Sequence, residues 1–170
     1  MRNPKSFVAA LLALAWFGAC AWAQTASEPK AIVEQIYRIS AGANGKYEGN
    51  SAFYQKPLQN RWFSKGLLAA LRQVDAYSKK TGDIGLDFDP VTNSQDPSVT
   101  RLTISVESSD AAKTVVSAKF YPQGARDQDN IRYVFVREAG AWKLDDMTGD
   151  KGGKERWVLR NIMREILKGN

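Results

Sequence analysis

The alternation of apolar and polar residues between Leu102 and Met147 constrains the fold more than any other feature of the chain. Successive side chains of a β-strand point to opposite faces, so a period of two predicts a strand with one face in water. Four segments carry this period and are joined by polar turns or loops: Leu102–Glu107, Lys113–Tyr121, Ile131–Arg137 and Trp142–Met147. They predict a curved antiparallel sheet of about four strands.

Apolar residues at helical spacing lie on both sides of this region. One helix is expected from Pro29, and a second from Asn60, as its N-cap, to Lys80. Of the adjacent Trp62 and Phe63 in that helix, only one is expected to be fully buried. After a glycine-rich linker, a C-terminal helix is expected over about 154–168. Helices followed by consecutive strands indicate an α+β domain, with a core of about residues 29–147.

The N-terminus resembles a secretory signal. Arg2 and Lys5 precede an apolar run that ends in Ala21-Trp22-Ala23, an A-x-A cleavage site. Residues 1–23 are therefore interpreted as a signal peptide and residues 24–170 as a single domain, periplasmic or secreted, with no transmembrane segment. The alternative is a lipoprotein anchored through Cys20, because the residues before that cysteine resemble a lipobox.

Two residue types limit the chemistry of the chain. It has no histidine and only one cysteine, which excludes zinc sites, Ser-His-Asp triads, Cys-His pairs and internal disulfides. The formal charge of +6 falls to +4 if Arg2 and Lys5 are removed with the signal, an excess too small to indicate nucleic acid. We expect neither a resident metal nor a cofactor.

The segment from Leu86 to Pro97 concentrates oxygen-bearing side chains between prolines. Its candidate ligand-binding residues are Asp87, Asp89, Asn93, Gln95 and Asp96. One interpretation is structural, with these side chains accepting hydrogen bonds from loop N–H groups in Asx-turns. The others are a ligand-binding loop or a hard-cation site, although an EF-hand is excluded by the missing glycine and glutamate.

Two further groups of residues are candidates for function. Asp146 would be a general base with Tyr37 as its partner if it pointed into an interior pocket, whereas the structural alternative is an aspartate that caps a turn. A basic stripe is expected on the C-terminal helix, where it would form a partner surface or a solvated face. Its members recur at every fourth residue: Arg156, Arg160, Arg164 and Lys168.

The closing segment Gly140-Ala141-Trp142-Lys143-Leu144-Asp145-Asp146 is similar to the G-x-W-K-hydrophobic-D-D ending of the nuclear transport factor and ketosteroid isomerase superfamily. With the Tyr37 helix, Leu86–Pro90 and Gln95-Asp96, it resembles a family of unknown function of small Gram-negative periplasmic proteins and lipoproteins. The resemblance implies a cone-like α+β fold, also described as cystatin-like, which supports enzymes, binding modules and toxin-neutralising proteins.

Because no catalytic set of residues is recognisable, we expect a non-catalytic binding or interaction domain. With the N-terminal signal, this domain would be exported and would belong to the bacterial cell envelope. Its partner would be a protein or a small molecule. One alternative is an isomerase- or hydrolase-like enzyme with a pocket aspartate and a tyrosine partner. The other is a periplasmic immunity protein against a toxin.

Overall fold

The structure, a computed structural model, describes residues 19–42, 46–47 and 50–169. In this part of the chain, the helices are α1 (Ala19–Ser40), α2 (Lys56–Trp62), α3 (Lys65–Thr81) and α4 (Leu159–Lys168), and a 3₁₀ turn, Ala52–Tyr54, precedes α2. The strands are β1 (Thr100–Ser109), β2 (Lys113–Tyr121), β3 (Asp129–Glu138), β4 (Ala141–Lys151) and β5 (Lys154–Val158). The fold is α+β with a C-terminal helix, as the sequence predicts.

The strands form one antiparallel sheet in the order β1-β2-β3-β4-β5. The expectation of about four strands is therefore wrong by one. Gly152 and Gly153 have φ of 58° and 78°, and they form a two-residue turn that joins β4 to β5 where a flexible linker was expected. This hairpin takes up the chain that was expected to begin the C-terminal helix, so α4 starts at Leu159 rather than near Lys154.

The predicted second helix is two helices. Ser64 interrupts it: its Oγ accepts a hydrogen bond from Leu67 N at 2.9 Å and caps α3, while its own N–H donates to Leu144 O at 2.8 Å. Trp62 and Phe63 are exposed by only 3% and 2%, so the expectation that just one is buried is wrong. The break explains this, because Phe63 leaves the helix and bridges to β4.

Helix α1 begins at Ala19, well before Pro29, which lies inside it. It includes Cys20 and Ala23, the residues of the lipid-anchor and cleavage predictions, and the remainder of the predicted signal, residues 1–18, lies outside the described residues. Among the helices of the described chain, none combines the length and the apolar character that crossing a membrane requires.

The core lies between the helices and one face of the sheet. Tyr37 of α1 packs edge-on against Phe120 of β2 and Tyr133 of β3, with ring centroids 6.1 and 6.2 Å apart. Leu159 and Met163 of α4 are as deeply buried, at 0% and 1% exposure. The core therefore extends beyond residue 147, because α4 packs back onto α3 and β4.

Both edges of the sheet are irregular or short. In β1, every residue is exposed or half-buried, and its pairing with β2 shifts register between Thr100 and Thr103 and between Val106 and Ser108. Arg101, inside the first shift, has φ of 53° and stacks on the Tyr121 ring at 4.1 Å. The opposite edge is β5, only five residues long.

Candidate functional site

Asp89 organises the segment of residues 86–97, here called the aspartate loop. Its Oδ1 accepts hydrogen bonds from Ser51 Oγ at 2.8 Å and from Val91 N at 3.0 Å, and its Oδ2 accepts one from Thr92 Oγ1 at 3.2 Å. Burial raises the pKa of this carboxyl, and the same hydrogen bonds partly offset the rise. Both carboxylate oxygens are therefore engaged by the protein itself.

Two tyrosines hold the backbone of the loop through hydrogen bonds. The buried Tyr37 donates its hydroxyl to Val91 O at 2.9 Å, and Tyr54 donates to Phe88 O at 2.6 Å. Burial raises the pKa of both phenols. Tyr37, a candidate catalytic residue from the sequence, thus holds the loop against the core.

A second anchor ties the aspartate loop to the sheet. Asn93, with φ of 55°, donates from Nδ2 to Asp129 Oδ2 at 3.0 Å and accepts at Oδ1 from Trp157 Nε1 at 2.6 Å. The Phe88 and Trp157 rings lie 5.2 Å apart. The indole crosses Gly149 so closely that a Cβ there would lie 2.3 Å from the ring. The sequence does not indicate that Asp129 and Trp157 belong to this site, because no local pattern connects them to Asn93.

The other predicted residues of the loop face outward. Asp87 and Gln95 are exposed and line a surface groove. Asp96 is exposed, and its backbone N–H donates to Ser94 Oγ. Within the described ranges, no three metal-ligating side chains come close enough together to hold an ion.

Asp146 does not point toward the core with its neighbours. Where β4 pairs with β3, one extra residue between Leu144 and Asp146 forms a β-bulge. The bulge shifts the alternation of inward and outward side chains, so that Leu144 and Met147 are buried and Asp146 is half-buried. Its Oδ1 accepts from Met147 N at 2.8 Å and from Arg160 N, in the first turn of α4, at 3.1 Å. Burial raises the pKa of this carboxyl, and both bonds lower it. No hydrogen bond joins Asp146 to Tyr37 in the described structure.

The predicted basic stripe is not continuous. Arg156 lies on β5, because α4 starts three residues later. Arg160 donates to Asp145 Oδ1 at 2.5 Å and to Asp145 O at 2.7 Å. Arg164 and Lys168 bond to side chains of their own helix. The four basic residues that were expected to form one surface are therefore divided between β5 and α4, and the cations on α4 already have partners.

Two open grooves flank Tyr54. The first, here called the α2–α3 groove, combines spaces of about 440 and 330 Å³ between α2, α3 and residues 85–86. Its lining includes apolar and charged side chains of the two helices, among them Lys56, Leu68, Leu71, Arg72, Val74, Asp75 and Lys79. The second, here called the loop groove, has about 440 Å³ between Tyr54 and the aspartate loop. The loop groove is lined in part by the predicted ligand-binding residues Asp87, Asp89 and Gln95. Sequence reasoning missed the α2–α3 groove, since amphipathic helices usually place such charges on a solvated face.

The gap in the aromatic core, by contrast, is closed. It lies among Ile36, Phe53, Phe63, Val91 and Tyr133, is lined by apolar and aromatic side chains, and leaves no space for a water molecule. Ser78 Oγ, beside the α2–α3 groove, is buried without a hydrogen-bond partner in the described part of the chain. The accessible polar chemistry is therefore on the surface.

Comparison of the chain with protein-family models, curated proteins and solved structures finds no match in any of the three. The resemblance to the small envelope proteins therefore remains an expectation based on the quoted motifs. What the molecule does must be inferred from its own geometry.

Proposed function

We propose that the chain is an exported, non-catalytic binding domain of the bacterial cell envelope, and that it binds its ligand in the two grooves that flank Tyr54. The observation that carries this proposal is the contrast between these grooves, of several hundred Å³ each, and an interior too tight for water. Ligand sites are concave and combine apolar walls with a few polar groups, which is the composition of the α2–α3 groove.

The state of the candidate acid–base groups supports a non-catalytic role. A general base needs a substrate proton within hydrogen-bond reach. Asp146 instead caps α4, and Asp89 accepts three hydrogen bonds from the protein. The hydroxyl of Tyr37 is committed to a backbone carbonyl inside the core.

Two parts of the proposal come from sequence. The cone-like fold of the nuclear transport factor superfamily is supported by the Trp142-Lys143 hairpin and by helices packed on one face of an antiparallel sheet. Export is supported by the N-terminal charge and apolar pattern. Cell fractionation with mass spectrometry of the purified N-terminus tests export: a chain starting at Gln24, or a lipidated Cys20, supports it, and an intact cytoplasmic chain contradicts it.

The binding proposal is tested by two-dimensional NMR of the ¹⁵N-labelled protein, titrated with a panel of cell-envelope small molecules and short peptides. Binders should shift backbone resonances of groove residues, including those around Tyr54 and Leu71, more than those of the buried strands. Ala76 is exposed and lines the α2–α3 groove, whereas Ala69 is exposed on the same helix but not in the lining.

Ala76→Trp should therefore abolish the shifts of residues that line the α2–α3 groove, and Ala69→Trp, the matched control, should preserve them. Binding that maps outside both grooves, or shifts in the α2–α3 groove that survive Ala76→Trp unchanged, contradict the proposed site. Turnover of a bound compound would contradict the non-catalytic role.

A further inference from the structure

We infer that the α2–α3 groove binds a short acidic peptide segment in extended form, with apolar side chains on the groove floor and carboxylates on its rim. The inference rests on the proposed function, because it assigns a ligand class to one of the two grooves. Four features of the groove support it: its length, its floor, its charges and its aromatic content.

The groove is long and narrow. On α3 its lining runs from Leu68 to Lys79, which corresponds to about 16 Å at the helical rise of about 1.5 Å per residue. On α2 the facing side chains are Lys56, Gln59 and Asn60. An extended chain advances about 3.3 Å per residue, so about five residues would fill this length. A compact metabolite would leave most of it empty.

The floor is apolar. Leu71 and Val74 are exposed by 8% and 3%, and the half-buried Leu68 and Leu86 continue the surface toward both ends. Side chains of an extended peptide alternate in direction, so every second one would point to this floor and the others toward the rim. Ser78 Oγ is a polar group beside the floor that the described residues leave without a partner.

The rim is cationic. Lys56, Arg72 and Lys79 are exposed, and none of them makes an ion pair or a side-chain hydrogen bond within the described structure. Asp75 is the single carboxylate among the lining residues of the groove. Three cations to one anion, around an apolar floor, complement a ligand that alternates apolar and acidic groups.

The aromatic content favours a peptide over a polynucleotide. Sequence-tolerant binding of single strands uses aromatic faces on which bases stack. Tyr54 is the one aromatic residue in the lining, and its hydroxyl is bound to Phe88 O while its ring packs edge-on against Phe53. Leucine and valine floors match aliphatic side chains instead.

The probe is a fluorescein-labelled hexapeptide that alternates leucine and glutamate, compared with versions that carry glutamine or lysine in place of glutamate. At low salt, the glutamate peptide should bind at least about tenfold more tightly than the glutamine peptide, and salt at about 0.5 M should remove most of that difference. Lys56→Glu/Lys79→Glu should weaken binding at least about tenfold through repulsion. Lys119→Glu/Lys154→Glu, which makes the same charge change at exposed strand positions, should retain it.

The outcomes separate the two proposals. If the glutamate and glutamine peptides bind equally and Ala76→Trp abolishes the binding of both, the acidic ligand is overturned and the groove remains the binding site. If small molecules shift the groove resonances but none of the peptides does so at millimolar concentration, the acidic ligand is again overturned and the groove remains the binding site. Displacement of the glutamate peptide by an oligonucleotide or by anionic lipid vesicles at lower concentration also overturns it. If neither the peptides nor the panel shifts groove resonances, both proposals fail.

Discussion

The aspartate loop and the α2–α3 groove meet at Tyr54, yet they use polar side chains in opposite ways. In the loop, the side chains of Asp89 and Asn93 are hydrogen-bonded to groups of the protein itself, in the loop and beyond it. In the groove, Lys56, Arg72 and Lys79 have no such partners among the described residues.

A dense cluster of polar residues in the sequence is therefore a weak guide to a binding site. Buried polar groups must be hydrogen-bonded, so a loop packed on a core consumes its own polar atoms. Charges dispersed along two helices attract less attention, but they remain available to a ligand. If this contrast holds, substitutions in the aspartate loop should destabilise the protein and substitutions in the groove should not.

The largest effect is expected for Asp89→Ala. The substitution leaves Val91 N–H and the hydroxyls of Ser51 and Thr92 without their acceptor, and unfolding free energy should fall by about 3 kcal/mol. Urea denaturation measures it. Asp87→Ala, at an exposed neighbour, should change stability by less than about 0.5 kcal/mol. Similar losses for both variants would show that the loop is not fastened through Asp89.

Gly149→Ala should cost about 2 kcal/mol, because the added Cβ would overlap the Trp157 indole. The displaced indole should also lose its hydrogen bond to Asn93, visible as a shift of its N–H resonance. Gly85→Ala is the comparison: its Cβ would meet Ser78 Oγ and Val74 Cγ1 at 3.1 and 3.2 Å, which is tight but far short of the overlap at Gly149, so the loss of stability should be clearly smaller. A wild-type indole resonance in Gly149→Ala would contradict the anchor.

Asp129→Asn should raise unfolding free energy at pH 7 by up to about 1 kcal/mol, because a neutral amide is less costly to bury than an ionised carboxyl of which one oxygen has no partner among the described residues. Burial raises the pKa of this carboxyl; the Asn93 bond and Lys151 lower it, and Asp150 and Asp127 raise it. Since the folded-state pKa exceeds the unfolded value, the ionised form opposes folding above the folded pKa, and the penalty disappears as pH falls through it.

The advantage of Asp129→Asn over wild type should therefore be largest near neutral pH and should shrink in acid. Thermal unfolding from pH 7 to pH 3 checks this trend. A gain that grows as the pH falls would reverse the sign and contradict the raised pKa.

The smallest effect is expected in the groove. Lys56→Ala, Arg72→Ala and Lys79→Ala should each change unfolding free energy by less than about 0.5 kcal/mol, because no partner in the described structure is lost. Urea denaturation again measures the change. A loss above 1 kcal/mol at any of the three would place a structural role in the groove and erase the contrast with the aspartate loop.

The sequence predicts most of the sheet because strand periodicity is a local property. It misses β5 because the apolar residues Trp157, Val158 and Leu159 fit a helical period as well as a strand, and a five-residue strand offers little pattern. It misses the break at Ser64 for a related reason: the helical period continues through it, and the local cap on Leu67 N acts together with a distant bond to Leu144 O that the sequence does not reveal.

The candidate site is predictable only in part. The hydrogen bonds of Asp89 lie mostly within its own loop, and the Asx-turn interpretation describes this kind of contact. The bonds of Asn93 reach 36 and 64 residues along the chain, and no local signal specifies them. The α2–α3 groove depends on how two helices pack, which their separate patterns leave open.

The irregular edges of the sheet have a consequence for how copies of this protein meet one another. Strand edges invite pairing with another chain, and bulges, short strands and charges discourage it. The register shifts of β1 and the charged, five-residue β5 provide such protection on both sides. The molecule should therefore resist edge-to-edge aggregation at high local concentration, and an extended partner should find its place between helices rather than as a sixth strand.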